Sequence, residues 1–510
     1  MYQTPIYLGN QISIQDVVDV SLNNRTVDIL SDCKKLIIES SNVVNEIVES
    51  DLSVYGINTG FGVLSDKKIS KDDLSTLQRN LILSHAVGCG EPAPEYIVRS
   101  MLFLRLVSLC KGNSGVQLTT ILKLIEYLNA NLYPYVPIQG TVGASGDLAP
   151  LSHLFSSFLG EGKMFCYEKN RFIPSSIVLE RKVLTPLELG PKEGLALNNG
   201  TQFITSYTLF AVYNSLKLLN IANLVSCFSV EVLHGTDKFL DHRIHLSKPH
   251  HGQQKVASDM RDILLRSENI EKNTTNKVQD AYSLRCIPQI HGAAYDAIKF
   301  AEKIVTTEIN SSTDNPLIFT SHLFNYSLKD KVVSGGNFHG MYIGMAADML
   351  AIANTYLCNI SERRLERILN PDLNKYLPAF LSRNNGLNSG LMITQYASAG
   401  ITAENRTLSN PGSVNNIPTC GGFEDVVSMA GWPARKALQS SENTFKVLSY
   451  ELFACYCAKQ FTKEKMSPAI ENLYTKLSML LPDIDLDYDQ YMFDHVHTIN
   501  IFLQDFNISE

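Results

Sequence analysis

Residues 140–150 carry the pattern with the most specific chemistry, GTVGASGDLAP. This stretch is a glycine-rich loop before a helical segment, with Asp147 as a candidate N-cap of that helix and Pro150 near its first turn. A structural turn or a phosphate-binding loop is the simplest interpretation of such a stretch. The Gly-Lys-Ser/Thr sequence that ends a nucleotide-binding loop is absent, which argues against a nucleotide.

The tripeptide Ala144-Ser145-Gly146 in this loop can react with itself. In a tight bend, the unhindered amide nitrogen of Gly146 can attack the Ala144 carbonyl carbon and close a five-membered ring. Loss of one water from the ring, and of the Ser145 hydroxyl as a second water, leaves an exocyclic methylene, which is a strong electrophile. Gly143 and Gly146 permit the torsions that such a bend requires.

This loop resembles the cofactor loop of the histidine and phenylalanine ammonia-lyase family, and the resemblance runs over nearly the whole chain. The family's electrophile is 4-methylideneimidazole-5-one (MIO), which the resemblance implies is formed from Ala144, Ser145 and Gly146, with no metal, nucleotide or pyridoxal phosphate. Further blocks match in the expected order: YGINTGFG at 55–62, GLALNNGT at 194–201, VQDAYSLRCIPQ at 278–289, SSTDNP at 311–316, GGNFH at 335–339 and ENRTLSN at 404–410.

The resemblance also implies roles for single residues. Tyr55 would remove the β-proton of the substrate, which requires that positive charge or hydrogen bonds lower its pKa from about 10. Tyr282 would lie over the cofactor, and Arg285, on the same helical face, would bind the substrate carboxylate through two hydrogen bonds. The remaining roles are Asn199 against the cofactor, Gln279 in the pocket lining and Phe338 in the pocket wall.

Each of these residues has a structural alternative. A tyrosine in a glycine-rich loop is often a packed aromatic, an Asn-Gly pair such as Asn199-Gly200 is a turn signal, and a single arginine is usually part of a surface ion pair. Asn315 and Asn337 are turn formers by type, and we expect them to be mostly structural.

Two residues bear on the substrate. Glu424 lies where the histidine branch carries a carboxylate and the phenylalanine and tyrosine branches usually carry an amide, and an anionic group suits an imidazole N–H. His85 follows Ser84, as in the histidine branch, and could bind the imidazole through a ring nitrogen. Alone, Glu424 would be interpreted as a solvated surface acid, and His85 excludes phenylalanine better than tyrosine. L-Histidine is the expected substrate, with trans-urocanate and ammonia as products.

Several positions depart from the histidine branch. Phe423 and Val426 stand where the histidine branch usually has other residues near Glu424. Met341 and Tyr342 resemble the residues that the aromatic branch has at those positions. Asn198 and His251 replace the more usual Leu and Pro. A tyrosine or other aromatic ammonia-lyase therefore stays open as an alternative.

Three other functions are compatible with parts of the sequence. An aminomutase would use the same electrophile and return the amine to the β-carbon. An inactive helical scaffold is disfavoured because every motif residue is intact. A zinc site is disfavoured because its candidate ligands lie in a polar stretch typical of a solvated loop; they are Asp241, His242, His245, His250 and His251.

Composition excludes several classes of protein. The 510 residues are 45% hydrophobic and 19% charged, with a net charge of −7 and no basic stripe, which argues against nucleic acid as a partner. The N-terminus lacks a basic start followed by an apolar run, and the ten cysteines form no CxxC pair. No apolar run reaches the roughly 18 uninterrupted residues of a membrane span. These features predict a cytoplasmic protein with reduced thiols and no membrane contact.

The elements that must position these residues are mainly helical. Long segments of apolar character at 202–233, 342–369 and 438–460 predict buried helices of a central bundle. We expect a smaller, mixed N-terminal domain at 1–200 with the Tyr55 and tripeptide loops, and a helical-bundle domain at 201–510. The resemblance implies a homotetramer whose active sites combine several subunits, and the apolar central helices agree with it.

Overall fold

The structure is a computed structural model that describes residues 4–62, 66–276, 278–320 and 326–506. Helices dominate it and the strands are short, so the expectation of a mainly α fold is confirmed. Residues up to 200 form β1 (Ile6–Leu8), α1 (Ile14–Leu22), β2 (Val27–Ile29), α2 (Ser31–Glu49), α3 (Leu74–His85), β3 (Cys89–Pro92), α4 (Glu95–Leu109), α5 (Leu118–Asn129), β4 (Pro137–Gln139), α6 (Leu148–Phe158), β5 (Lys163–Cys166), β6 (Arg171–Pro174), α7 (Ser175–Arg181) and α8 (Glu193–Asn198).

Most of the remainder of the chain is helical. It forms α9 (Gln202–Val232), α10 (His242–Ser247), α11 (His251–Leu264), α12 (Glu268–Asn276), α13 (Tyr282–Arg285), α14 (Ile287–Glu308), β7 (Leu317–Ile318), β8 (Val332–Val333), α15 (Met341–Leu369), α16 (Pro371–Asn374), α17 (Met392–Leu408), α18 (Gly431–Ala458), α19 (Pro468–Leu480) and α20 (Phe493–Asp505). The three predicted long helices are α9, α15 and α18, of which α18 begins earlier than its apolar pattern.

The chain folds into two compact units, each built from three segments. Unit 1 comprises Met1–Phe210, Glu302–Ala347 and Pro411–Arg435, and unit 2 comprises Ala211–Ala301, Asp348–Asn410 and Lys436–Glu510. Most of the boundaries lie inside long helices, namely α9, α14, α15 and α18. The predicted domain boundary at residue 200 stays a prediction. The two compact units are a different division, because their segments alternate along the chain.

Unit 1 contains the short strands, which pair as four two-stranded sheets. The β1–β2 pair is parallel and the other three pairs are antiparallel. One core cluster joins α2 to the segment after it and to β7, and it consists of Val43, Val44, Ile47, Ile57 and Ile318. Because Ile57 is fully buried in this cluster, the loop that follows Tyr55 has a fixed anchor.

Unit 1 also buries charged side chains behind its loops. Arg105 of α4 is fully buried and donates to the carbonyl oxygens of Ala196 and Thr313, the latter at 2.6 Å. Asp314 lies 3.8 Å from Arg105 and 2.9 Å from Lys192, so this one carboxylate pairs with two buried cations. Such burial is tolerated only when every charge is paired and hydrogen-bonded.

Unit 2 is a bundle with its own polar centre. Glu451 of α18 is fully buried and accepts hydrogen bonds from Arg364 of α15 at 2.5 and 2.9 Å. Ser229 and Ser361 donate to the same carboxylate, each at 2.5 Å. This network fixes the register of α9, α15 and α18 within the unit.

Two helical stretches, Glu193–Val232 and Met341–Leu369, are long and apolar enough to cross a membrane by length and composition alone. Their most apolar windows are 78% and 72% buried inside the protein, as is usual for core helices. The burial accounts for the low charge of both windows.

Candidate active site

The reactive tripeptide lies in unit 1, in the loop between β4 and α6. Gly143 and Gly146 both have left-handed backbones, with φ of +62° and +74°. A Cβ atom on Gly146 would lie 2.5–2.8 Å from the backbone of Gly200, so only glycine fits there. The tight bend expected from the sequence is therefore present, and the Gly146 backbone packs directly against that of Gly200.

Asp147, the next residue, occupies the N-cap position of α6 as the sequence predicts, but its side chain does not cap that helix. Its side chain makes no cap hydrogen bond to α6 and instead accepts from the amides of Phe203 and Ile204 in the first turn of α9, both at 3.0 Å. Thr141 donates to the other carboxylate oxygen at 2.9 Å. Burial raises the pKa of Asp147 to about 7, an effect larger than the lowering by these hydrogen bonds. The carboxyl group ties the loop to α9.

Asn199, at the end of α8, contacts the tripeptide directly. Its side-chain amide donates to the carbonyl oxygen of Ser145 at 2.7 Å. Its own side-chain oxygen is buried and has no protein partner in the described part of the chain. Asn199 therefore bonds the loop and leaves one acceptor for another group.

Glu424 lies at the tripeptide, on a turn closed by a bridge between Thr419 and Glu424. One carboxylate oxygen accepts from the Ser145 hydroxyl and the other from the Thr419 hydroxyl, the latter at 2.5 Å. A solvated surface acid is therefore the wrong interpretation of Glu424. Thr419 was not singled out from the sequence, because a threonine in a turn gives no signal of its own.

His85 ends α3 and faces the same cavity, whose volume is about 240 Å³. The lining includes the tripeptide, His85 and Glu424. The Ser84 hydroxyl lies 2.9 Å from Nδ1 of His85. Burial lowers the pKa of His85, with smaller opposing effects from the Leu81 carbonyl and from Glu424, so the ring is neutral at neutral pH.

The close packing of α3 on α8 sets this geometry. A Cβ on Gly194 would overlap the backbone of Gln78, so glycine allows the two helices to approach. The side chain of Gln78 accepts from the amide of Leu195 at 3.1 Å. His85 and Asn199 are thereby held on two elements that are bonded to each other.

Tyr55 lies on the glycine-rich loop of unit 1, and its environment differs from that expected of a base. Burial raises its pKa, the Gly62 amide lowers it, and the acidic groups of Cys420 and Glu424 raise it further. The amide of Gly62 donates to the Tyr55 hydroxyl at 3.4 Å. Positive charge that would favour the phenolate must therefore come from outside these contacts.

Phe338 is half-buried and lies in a turn. Two residues further on, this turn is hydrogen-bonded to the tripeptide loop. The amide of Gly340 donates to the carbonyl of Gly143 at 3.1 Å. Asn315 accepts from the amide of Gly335 at 2.7 Å, and Asn337 donates to the carbonyl of Ser312 at 3.4 Å. These contacts give both asparagines structural partners.

Gln279, Tyr282 and Arg285 belong to unit 2 rather than unit 1. The Arg285 guanidinium lies 4.5 Å from the centre of the Tyr282 ring, as their shared helical face predicts, and its Nε donates to the carbonyl of Asp280 at 2.9 Å. Gln279 and Arg285 line a cavity of about 280 Å³ in this unit, and Tyr282 is 69% exposed. The predicted contact within the motif is therefore present, and the Tyr282 ring is exposed.

The residues that depart from the histidine branch fall into two kinds. Phe423, Val426 and Tyr342 are exposed, at 72%, 61% and 71%. Asn198, in contrast, is buried and donates to the Ser152 hydroxyl at 3.1 Å, so it is a local repacking.

The histidine-rich stretch at 241–251 holds no metal cluster: among the residues that the structure describes, no three potential ligands come together. His245 is instead buried, near the Phe239 carbonyl at 3.0 Å and the Gln253 side chain at 3.1 Å.

Known proteins resemble this chain along almost its full length. The model of the aromatic amino acid lyase family matches residues 12–479. A histidine ammonia-lyase of Alkaliphilus metalliredigens is 44% identical over 453 residues, which is 89% of this chain and 87% of that protein. The crystal structure of histidine ammonia-lyase from Trypanosoma cruzi is 38% identical with a TM-score of 0.90, covering 98% of this chain and 93% of that one. That of a tyrosine aminomutase from Streptomyces globisporus is 32% identical with a TM-score of 0.90, covering 98% and 97%.

Fold and relatives together define a carbon–nitrogen lyase. The chain belongs to the aromatic amino acid lyase family.

Proposed function

We propose that this lyase eliminates ammonia from L-histidine to give trans-urocanate. The observation that carries the proposal is the presence of His85 and Glu424 in the cavity that the tripeptide lines. The names of the most similar relatives support the same substrate. A neutral imidazole and a carboxylate side by side provide both an acceptor and an anionic partner for an imidazole ring.

The residues of the tripeptide fit the MIO group that the family uses. Gly146 is bent, a Cβ there would meet the Gly200 backbone, and the Asn199 amide already bonds the Ser145 carbonyl. When formed from Ala144, Ser145 and Gly146, this group supplies an electrophilic methylene that turns the substrate amine into a better leaving group.

The residues of unit 1 bind and orient the ring of the substrate. Glu424 accepts from one imidazole N–H, and the neutral ring of His85, which lines the same cavity, contacts the substrate ring as an acceptor or a donor. Phe338 contributes to the pocket wall. A substrate whose ring carries no hydrogen-bond donor leaves the substrate-facing oxygen of Glu424 without that contact, which costs binding energy.

Tyr55 removes the β-proton at its hydroxyl oxygen. In unit 1 burial and Glu424 raise the pKa of Tyr55, so the free chain is not ready for this step. Substrate binding and assembly must add positive charge near the hydroxyl, and Arg285 is the cation that the motif offers. Arg285 would hold the substrate carboxylate, with Gln279 beside it in the cavity lining, and Tyr282 would contact the cofactor.

The active site is proposed to be shared between the subunits of a homotetramer. Gln279, Tyr282 and Arg285 lie in unit 2, and Tyr282 presents 69% of its surface. Another copy of the chain can therefore present them to the tripeptide. The protein is proposed to act in the cytoplasm, on a small amino acid, without metal, nucleotide, pyridoxal phosphate, nucleic acid or membrane.

The test is a side-by-side assay of the purified protein with L-histidine, L-tyrosine and L-phenylalanine, following the conjugated acid by absorbance and ammonia release. We expect turnover of histidine alone. Turnover of tyrosine would overturn the substrate and keep the chemistry, and a β-amino acid product would indicate an aminomutase, as the 32% identity to the tyrosine aminomutase allows. Ser145→Ala is the control: its intact mass should lack the loss of two waters and its activity should vanish.

A further inference from the structure

The N-terminus of α9 is capped by a residue from another part of the chain. Thr201, directly before α9, accepts the amide of Thr205 at its carbonyl, which is the N-cap position. A threonine at this position usually caps the helix with its own hydroxyl. Here the carboxylate of Asp147 takes the amides of Phe203 and Ile204.

The Thr201 hydroxyl is thereby free for a different partner. It donates to the carboxyl group of Glu308, the last residue of α14, at 2.6 Å. Thr201 is 1% exposed, and burial raises the pKa of Glu308, which the Thr201 hydrogen bond lowers only in part. Both residues belong to unit 1.

Thr201 directly follows Gly200, whose backbone packs against the tripeptide at Gly146. The carbonyl of Gly200 accepts from the amide of Asp147 at 2.6 Å, and its backbone lies against Gly146. A Cβ on Gly200 would overlap the guanidinium of the buried Arg105. Gly200 is therefore packed closely by both Gly146 and Arg105, and Thr201 holds it from the C-terminal side.

We propose that Glu308, acting through Thr201, is a positioning residue for cyclisation of the tripeptide. It keeps the Gly200 backbone pressed against Gly146, so that the bend needed for bond formation between the Gly146 nitrogen and the Ala144 carbonyl carbon is held before reaction. The step itself is balanced by release of two waters, with no oxidant or co-reactant. The inference rests on the proposed function only for the identity of this ring.

The experiment follows the intact mass of the full chain over time after cell-free synthesis. Thr201→Val removes the hydroxyl and keeps the shape of the side chain. Thr201→Ser keeps the hydroxyl and removes the methyl group. Thr208→Val is the matched control, because Thr208 is buried in α9 and its hydroxyl, among the described residues, bonds the Ile204 carbonyl of that helix at 2.8 Å.

We expect Thr201→Val to lose its two waters about tenfold more slowly than the wild type, since a small misplacement of reacting groups has effects of that size or larger. Thr201→Ser and Thr208→Val should mature at the wild-type rate. A purely structural role would instead lower the urea midpoints of Thr201→Val and Thr208→Val alike and leave both maturation rates unchanged, which would overturn the proposal.

Glu308→Leu removes the acceptor of the same hydrogen bond, and it tests the inference if Thr201→Val folds poorly. It should slow maturation to the same degree, and the double variant should be no slower than either single one. Additive effects would contradict the proposal. A wild type that never loses two waters would overturn this inference and the proposed cofactor together. A wild type that matures but does not turn over histidine would overturn the substrate alone.

Discussion

Glu424 is the residue on which the substrate assignment depends most. The Thr419 hydroxyl donates to one of its oxygens, so the carboxylate is oriented before substrate arrives, and the proposed loss of the Ser145 hydroxyl would free the other oxygen for the imidazole. We expect Glu424→Gln to lower kcat/KM for L-histidine by about 10- to 100-fold, because a hydrogen bond to a charged group is worth about 1.5–3 kcal/mol. Steady-state kinetics on purified protein measure this.

The matched control is Asp425→Asn, which removes the same charge from the next, exposed residue. It should leave kcat/KM for histidine unchanged. Equal loss in both variants would mean that the overall charge of the turn matters and not the Glu424 carboxylate, and the imidazole contact would then be wrong.

A second prediction at this scale concerns pH. Burial raises the pKa of Asp147 to about 7 from an ordinary value of 3.8. The folded chain therefore binds this proton more tightly than the unfolded chain, and the stability that it contributes below about pH 4 is lost as the pH rises toward 7. Across this window the free energy of unfolding of the wild type should fall relative to that of Asp147→Asn, measured by urea unfolding. A difference that is constant with pH would contradict the shift.

Several residue-level contacts followed from the sequence and several could not. The shared face of Tyr282 and Arg285 follows from a spacing of three, and their 4.5 Å contact agrees with it. The partner of Asp147 could not be predicted, because capping rules are local whereas its partners lie 56 and 57 residues further on. The raised pKa of Tyr55 arises from burial and, to a smaller extent, from Glu424, which is distant in sequence. No local sequence pattern reveals either cause.

At the scale of elements, the loop that holds the tripeptide makes a sharp prediction about Gly146. Gly146→Ala should abolish the loss of two waters and lower the free energy of unfolding by about 2 kcal/mol or more, because a left-handed backbone costs roughly 1–2 kcal/mol and overlap with Gly200 adds to it. Intact mass and urea unfolding measure the two effects.

Gly335→Ala is the control, since a Cβ there would meet nothing within 4 Å. It should fold and mature as the wild type does. If Gly146→Ala matured at the wild-type rate, the compression of the loop against Gly200 would not be what prepares the tripeptide.

The long helices were predictable from apolar spacing alone, within a few residues at most ends. α18 is the exception, since it begins at Gly431 and its apolar pattern begins near Leu438. Pro433 and the charged residues after it interrupt the apolar pattern in the first turns of α18, so the pattern does not mark the start of this helix. A proline is nevertheless tolerated in the first turn of a helix. Loop positions such as Thr201 and Thr419 carried no pattern, because their partners are set by tertiary packing.

At the scale of the whole molecule, the predicted homotetramer can be tested by complementation. Ser145→Ala and Arg285→Met should each be inactive alone. If the tripeptide and the arginine of one site come from different chains, random mixing should restore activity in about a quarter of the sites, and light scattering should give the mass of four chains. Co-expression of the two variants followed by the histidine assay measures it.

Mixing the separately purified variants without exchange of subunits is the negative control. A monomeric mass would contradict the proposal, and so would a co-expressed mixture as inactive as its parents. The interleaving of the two units was not predictable from the sequence, because no composition change marks the boundaries, which fall inside helices such as α15.

The hydroxyl of Ser428 donates to the carbonyl of Gly143 at 2.8 Å across 285 residues of chain. A ribosome that adds 5–20 residues each second needs roughly 15 to 60 s to cover that interval. During this time the nascent tripeptide lacks the contacts made by Gly340, Glu424 and Ser428. If these contacts are needed for ring closure, the electrophile appears only after synthesis of its enclosure, and the growing chain never displays a reactive methylene to the thiols and amines of the cell.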